Sequence, residues 1–107
     1  MIYAEYSHRN RIHKLKITGH AGTAPKGQDL VCCSVSTLCL TLSQCILNNK
    51  DKLTCEPVIK LSDGSSVIEC EATGRSEKEI MHFYYVVAQG LAMLAESFPE
   101  HIILKKI

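Results

Sequence analysis

The hydrophobic residues of this chain recur with two different periods that alternate along the sequence. Short stretches such as residues 14–17 (Lys-Leu-Lys-Ile) alternate polar and apolar side chains, and a period of two is typical of β-strands. Two longer stretches repeat every three to four residues and predict helices. The resulting order is β-β-α-β-β-α-β. It predicts an α+β fold with a mostly antiparallel sheet and two helices packed against it.

Local signals set the boundaries of these elements. The predicted strands cover residues 2–6, 12–18, 53–61, 67–73 and 101–107, and the predicted helices cover residues 30–48 and 77–98. Asp29 is the predicted N-cap of the first helix, because its carboxylate can accept a hydrogen bond from the N–H of Val31 or Cys32. Ser76 followed by Glu79 predicts a capping box for the second helix. The run 62–65 (Ser-Asp-Gly-Ser) is a strong hairpin signal between the third and fourth strands.

Length and composition limit the classes of protein to consider. The 107 residues, with a net charge of +1, predict a single domain over residues 1–107 with one hydrophobic core. The absence of a block of like charges argues against direct binding of nucleic acid. Neither a basic region nor a long apolar run follows Met1. We therefore expect no signal peptide, no membrane span and a cytoplasmic location.

The six cysteines of the chain lack the C-x-x-C spacing that is typical of zinc sites, so no metal site is predicted. In a reducing compartment we expect free thiols. Most of the cysteines are expected to be small buried hydrophobic residues, namely Cys39, Cys45, Cys55 and Cys70. Four histidines lie on polar or mixed stretches and are expected at the surface or at sheet edges: His8, His13, His82 and His101.

One histidine and one cysteine stand out by their places in the predicted fold. His20 directly follows the strand that ends at Gly19, and Cys32 is the third residue of the first helix if Asp29 is the N-cap. A thiol in the first helical turn lies among unpaired backbone N–H groups at the positive end of the helix dipole, which favours the thiolate. A nearby imidazole is the usual partner of a sulfur nucleophile. The sequence therefore predicts a Cys–His site.

Three further expectations follow from this arrangement. The loop of residues 21–28 can cover a bound peptide and exclude water. The free N–H groups of the first turn can hold an oxyanion, whereas Cys33 is rotated by about 100° around the helix and should not share the exposure of Cys32. No acidic residue is evidently placed to orient the imidazole of His20, so we expect a dyad rather than a triad.

Two alternatives from other classes stay open at this point. A non-catalytic binding module of the same fold could keep His20, Cys32 and the capping Asp29 for structural reasons only. A redox sensor would use Cys32 with Cys33 or Cys39 as a thiol pair. Adjacent cysteines form only a strained ring, and Cys32 and Cys39 are roughly 10 Å apart along a helix, which is too far for a disulfide.

The run of residues 19–36, G-H-A-x-x-x-x-x-G-x-D-L-V-C-C-S-V-S, resembles the signature of the Prp family. These are the ribosomal-processing cysteine proteases of Firmicutes and related bacteria, and the length and order of elements agree over the whole chain. The resemblance implies that His20 and Cys32 are the catalytic pair. Supporting positions of the motif correspond to Gly19, Gly27, Asp29 and Ser36. Cys33 departs from the family, which usually has a small residue such as Ala there.

The resemblance also implies a function and partners. The family removes the N-terminal extension of a large-subunit ribosomal protein, the twenty-seventh in bacterial naming, after an aromatic residue. It implies a homodimer as well, and a first helix that is apolar on more than one side agrees with a shared surface. The expected reaction is acyl transfer with no metal or organic cofactor. The alternative is a non-catalytic, ribosome-associated binding module of the same fold.

Overall fold

The structure is a computed structural model that describes residues 1–22 and 29–106. The elements are β1 (Ile2–Arg9), β2 (Ile12–Gly19), α1 (Leu30–Leu47), β3 (Val58–Ser62), β4 (Ser65–Glu71), α2 (Glu77–Ser97) and β5 (Ile102–Lys106). Two short 3-10 helices, Lys50–Lys52 and Gly74–Ser76, complete them. The predicted order β-β-α-β-β-α-β and the α+β fold class are confirmed.

The five strands form one sheet in the order β3-β4-β2-β1-β5. All pairs are antiparallel except β1 with β5, which run parallel, so α2 provides the crossover that returns the chain beside β1. Alternate residues of the two central strands are buried, and this face of the sheet packs against both helices. The core therefore lies between one sheet face and the helix pair.

Several predicted boundaries are wrong by a few residues. β1 and β2 stay paired as far as Arg9 and Ile12, so the predicted turn over residues 7–11 shrinks to Asn10 and Arg11. β3 is much shorter than predicted, because Leu53 makes only an isolated bridge to Ala72 and regular pairing begins after Pro57. Pro57 has no N–H to give to a ladder, which explains the late start.

The two predicted helix caps have different outcomes. The Asp29 side chain accepts a hydrogen bond from the Cys32 N–H at 3.0 Å, which confirms the first cap. Ser76 makes no side-chain cap bond, so the predicted capping box with Glu79 is wrong. The 3-10 turn that enters α2 orients Ser76 differently from a standard N-cap, with ψ near 6°.

The burial of the cysteines and histidines corrects two expectations. Cys39 and Cys70 are buried as predicted and Cys45 is partly buried, but Cys55 is exposed because it lies in the irregular segment before β3. Burial raises the pKa of the Cys39 thiol to about 11. His13 is fully buried rather than at the surface, since it alternates with Leu15 on the core face of β2.

Among the described residues, one helix, Leu30–Leu47, is long and apolar enough to cross a membrane by length and composition. The same test is passed by the core helices of soluble proteins. Here one side of α1 is buried against the sheet and α2, and its buried residues are Val31, Val35, Cys39, Leu42, Ser43 and Ile46. The opposite side leaves Leu30, Leu40 and Leu47 exposed.

Candidate active site

A cleft of about 840 Å³ opens where the end of β2 meets the first half of α1 and the β3–β4 hairpin. His20 and Cys32 both line this cleft, so the structure brings the predicted pair to one place. Of the other predicted site residues, the cleft is also lined by Gly19, Asp29 and Ser36. Gly27 and most of the predicted covering loop lie outside the described residues.

Cys32 lies in the first turn of α1, as predicted, and its side chain is partly buried. The backbone N–H of Ala21, just after β2, points at the Cys32 sulfur with an N···S distance of 3.4 Å. A backbone donor at that distance stabilises negative charge on sulfur more than it stabilises a neutral thiol. The Ala21 amide and the first turn of α1 therefore both lie next to this sulfur.

Two amides at the start of α1 already donate to Asp29, so the predicted oxyanion site rests on the other amides of the first turn. The Cys32 N–H donates to the Asp29 carboxylate at 3.0 Å, and the Cys33 N–H donates to the Asp29 carbonyl at 3.0 Å. Asp29 is 5% exposed and is held close beneath the nucleophile. Its carboxylate thus orders the turn that carries Cys32.

His20 faces the hairpin between β3 and β4, and this contact was not predicted. Its Nδ1 lies 3.8 Å from a carboxylate oxygen of Asp63, and both side chains are more than half exposed. Its ring also lies against the backbone of Gly64, where an added Cβ would come within 2.8 Å of Nε2. An acidic residue therefore lies near the imidazole, but 3.8 Å is beyond hydrogen-bond distance, so the expected dyad stays a prediction.

The pairing of β2 with β4 explains how the hairpin reaches the histidine. Thr18 pairs with Ser65, and the Gly19 N–H donates to the Gly64 carbonyl at 2.9 Å. Gly19 has a φ of 92°, and a Cβ there would lie 2.1 Å from the Met1 carbonyl oxygen. Glycine is thus required where the chain leaves β2 and turns His20 toward the hairpin. The sequence marked residues 62–65 as a turn, but the register that brings Asp63 to His20 is a tertiary property.

A second histidine binds the residue whose N–H faces the Cys32 sulfur. His101, just before β5, bonds through Nδ1 to the Ala21 carbonyl at 2.8 Å. It is partly buried and directly precedes β5, an edge strand, which agrees with the predicted surface or edge position. The contact follows from the strand order. β5 pairs in parallel with β1, and β1 pairs with β2, so the start of β5 lies near the end of β2.

The remaining predicted residues have clear positions. Ser36 is exposed one turn beyond Cys32, on the wall of the cleft. Cys33 differs in exposure from Cys32, as predicted, but it is the more exposed of the two and also lines the cleft. Two thiols therefore border the same cavity, although the Ala21 N–H contact is to the sulfur of Cys32.

A helix-terminal cysteine with a backbone donor on its sulfur, facing a cleft shared with a histidine, is characteristic of thiol-dependent acyl-transfer enzymes. The model of the family described as cysteine protease Prp matches residues 1–103 of the chain. The chain belongs to this family and is a cysteine protease. The predicted family is confirmed, and the alternatives of a non-catalytic binding module and a redox sensor lose their support.

Solved structures agree with this fold. A Staphylococcus aureus Prp described as an essential ribosomal processing protease, with a covalently linked product peptide, superposes with a TM-score of 0.78 at 18% identity, covering 100% of both chains. Its complex with a substrate peptide gives a TM-score of 0.73 at 17% identity, again over 100% of both chains. The Streptococcus mutans protein SMU.848 is 29% identical, with a TM-score of 0.73 and coverage of 100% of this chain and 94% of its own. No curated protein sequence matches the chain.

Proposed function

We propose that this protease removes the N-terminal extension of a large-subunit ribosomal protein, the twenty-seventh in bacterial naming, with Cys32 as nucleophile and His20 as general acid and base. The observation that supports the assignment of Cys32 is the Ala21 N–H directed at its sulfur in the first turn of α1. The substrate class is supported by the S. aureus relative, which is described as a ribosomal processing protease.

The proposed mechanism is acyl transfer in two halves. The Cys32 thiolate attacks the carbonyl carbon of the scissile bond and forms a C–S bond, and the C–N bond breaks as His20 gives its proton to the leaving amine. A water molecule then attacks the thioester while His20 takes one of its protons. The C–S bond breaks, the carboxylic acid leaves, and the thiolate and the imidazolium are restored. Asp63 lies near this imidazole on the solvent side, while Asp29 orders the turn beneath the sulfur.

The shape of the cleft suits an extended peptide. Its walls combine apolar side chains, among them Ile17, Val35 and Leu40, with backbone and hydroxyl groups of the β3–β4 hairpin. An aromatic side chain of a substrate can bury its ring against the apolar wall, where each Å² removed from water contributes about 25 cal/mol. The polar hairpin can hydrogen-bond the peptide backbone.

The same proposal includes a cytoplasmic homodimer of single-domain chains. Leu30 and Leu40 on α1 are 77% and 59% exposed, which leaves apolar surface beside the cleft. Exposed leucines on one helix favour association with a second copy. Sedimentation velocity at micromolar concentration is expected to show a dimer, and Leu30→Glu, which lies outside the cleft lining, should shift it toward monomer. A wild-type chain that sediments only as a monomer contradicts the dimer without affecting the assigned chemistry.

A peptide that spans the extension and its aromatic junction tests the reaction. Cys32→Ala is expected to abolish cleavage while peptide binding persists, because deleting one sulfur leaves the rest of the cleft in place. His20→Ala is expected to lose about 10²-fold or more in kcat, the usual scale for a general acid–base group.

Cys33→Ala is the matched control, since it removes a neighbouring thiol of the same cleft. It is expected to cleave at close to the wild-type rate. One cysteine of this variant, Cys32, should still react quickly with an alkylating reagent. If Cys33→Ala is the inactive variant and Cys32→Ala the active one, the assigned nucleophile is wrong. If the wild type cuts unrelated peptides but not the peptide of the ribosomal protein, and Cys32→Ala cuts none of them, the proposed substrate is wrong and the assigned nucleophile stands.

A further inference from the structure

Three potential metal ligands meet at the end of the sheet opposite the cleft. His8 and His13 are directly paired across β1 and β2, and Glu77 is the first residue of α2. His8 Nε2 lies 2.9 Å from one Glu77 carboxylate oxygen, and His13 Nε2 lies 3.2 Å from the other. The ligand atoms of all three residues lie within 4.8 Å of one another.

We propose that His8, His13 and Glu77 form a binding site for a zinc-class divalent transition-metal ion. Two imidazole nitrogens with one carboxylate are a donor set that suits such ions and not Mg²⁺ or Ca²⁺, which prefer oxygen. A tetrahedral ion with bonds of about 2.0–2.1 Å separates its ligand atoms by about 3.3 Å. The His-to-Glu separations of 2.9 and 3.2 Å are close to that value.

The surroundings hold the ligands in the required positions. His13 is fully buried, and its Nδ1 bonds to the Tyr6 hydroxyl at 2.9 Å, which leaves Nε2 directed at Glu77. A second partner on the far nitrogen is the usual way in which proteins orient a ligating histidine. The His8 ring stacks on the His13 ring with centroids 4.5 Å apart and an interplanar angle of 6°. The two Nε2 atoms therefore lie side by side and both face Glu77.

The accessible side of the cluster allows an ion to enter. The His8 and Glu77 side chains are 34% and 24% exposed, whereas His13 lies inside. Three protein ligands then leave a fourth position toward solvent, which a water molecule can fill. His8 Nε2 also lies 2.8 Å from the Asn10 carbonyl oxygen, so the hairpin turn borders this open side.

The position of the site predicts a structural consequence. His13 and His20 are seven residues apart along β2, about 23 Å of extended chain, so the ion would lie far from the cleft. It would link the β1–β2 hairpin to the start of α2, two elements that are far apart in sequence. Binding to the folded state alone stabilises it by mass action. A zinc ion at 100 times its Kd is then expected to raise the melting temperature by about 10 °C.

Titration of the metal-stripped protein with zinc ion tests the proposal, with calorimetry and thermal unfolding as readouts. Because thiols also bind zinc, the titration uses a background in which the exposed and partly buried cysteines are serine, namely Cys32, Cys33, Cys45 and Cys55. One zinc per chain is expected in this background. His8→Gln and Glu77→Gln should each weaken binding at least tenfold, and Tyr6→Phe should weaken it less.

His82→Gln is the matched control, since His82 is an exposed histidine of α2 outside the cluster. It should bind zinc as tightly as the background protein. His8→Gln removes a partly exposed side chain, and its melting temperature without metal shows whether the fold is kept. Zinc binding that disappears in the serine background, or that is equally tight in His8→Gln and His82→Gln, overturns the proposal.

Discussion

Replacing Gly64 by alanine tests the geometry of the active site most directly. Gly64 has a φ of 76°, and a Cβ at this position would lie 2.8 Å from His20 Nε2 and 3.3 Å from its Cε1. Ordinary van der Waals contact begins near 3.4 Å. The imidazole of His20 must therefore move by at least about 0.6 Å, and as an exposed side chain it can move without disturbing the core.

Two magnitudes follow from this displacement. Alanine in the left-handed region costs about 1–2 kcal/mol of unfolding free energy. A catalytic group displaced by most of an ångström loses about 10- to 100-fold in rate, which corresponds to about 1.4–2.7 kcal/mol of activation free energy. We therefore expect Gly64→Ala to be folded, mildly destabilised and clearly impaired in peptide cleavage.

The assay compares kcat/KM on the peptide substrate with the melting temperature of the same variants. Asn10→Ala is the control for backbone strain, because Asn10 also lies in the left-handed region, with a φ of 56°, in the turn between β1 and β2 at the far end of the sheet. Both variants should lose similar stability, and only Gly64→Ala should lose most of its activity. Wild-type kcat/KM in Gly64→Ala, or an equal loss in both variants, would refute the contact between Gly64 and His20 as the cause.

Three other changes probe the charges and thiols. Asp63→Asn should lower kcat/KM by no more than about fivefold, because an exposed ion pair contributes about 0–1 kcal/mol, and salt titration of the wild type should reproduce part of that loss. Asp29→Ala should lower the free energy of unfolding in urea by about 1–2 kcal/mol, whereas Asp29→Asn, which can accept the same cap bond, should lose less. Burial raises the pKa of Cys39 from 9.0 to about 11, so its contribution to stability is complete below pH 9 and is lost as the pH rises to 11. The wild type should therefore lose up to about 1.4 kcal/mol more per pH unit than Cys39→Ala over that window, and parallel pH profiles of urea unfolding would contradict this.

Local patterns predicted the elements well and their ends less well. The alternating residues of β2 and the helical repeat of α1 identify their structures because burial on one face imposes those periods. Ser76 and Glu79 match the capping-box pattern, yet the chain enters α2 through a 3-10 turn, whose geometry depends on how β4 and α2 are joined. The apolar residues between Leu53 and Pro57 predict a strand, but pairing with β4 begins only at Val58.

The sequence by itself determined the place of Cys32 in the first turn of α1, because the Asp29 cap and the helical repeat are local properties of the chain. It also placed His20 just beyond β2, since Gly19 and the end of the alternating pattern mark that point. The tertiary structure decided what surrounds them. Asp63 and Gly64 reach His20 only through the register of β2 with β4. His8, His13 and Glu77 meet only because a strand pair and a helix 64 residues beyond His13 are packed together. Contacts of this kind depend on how distant segments pack, and no local periodicity records them.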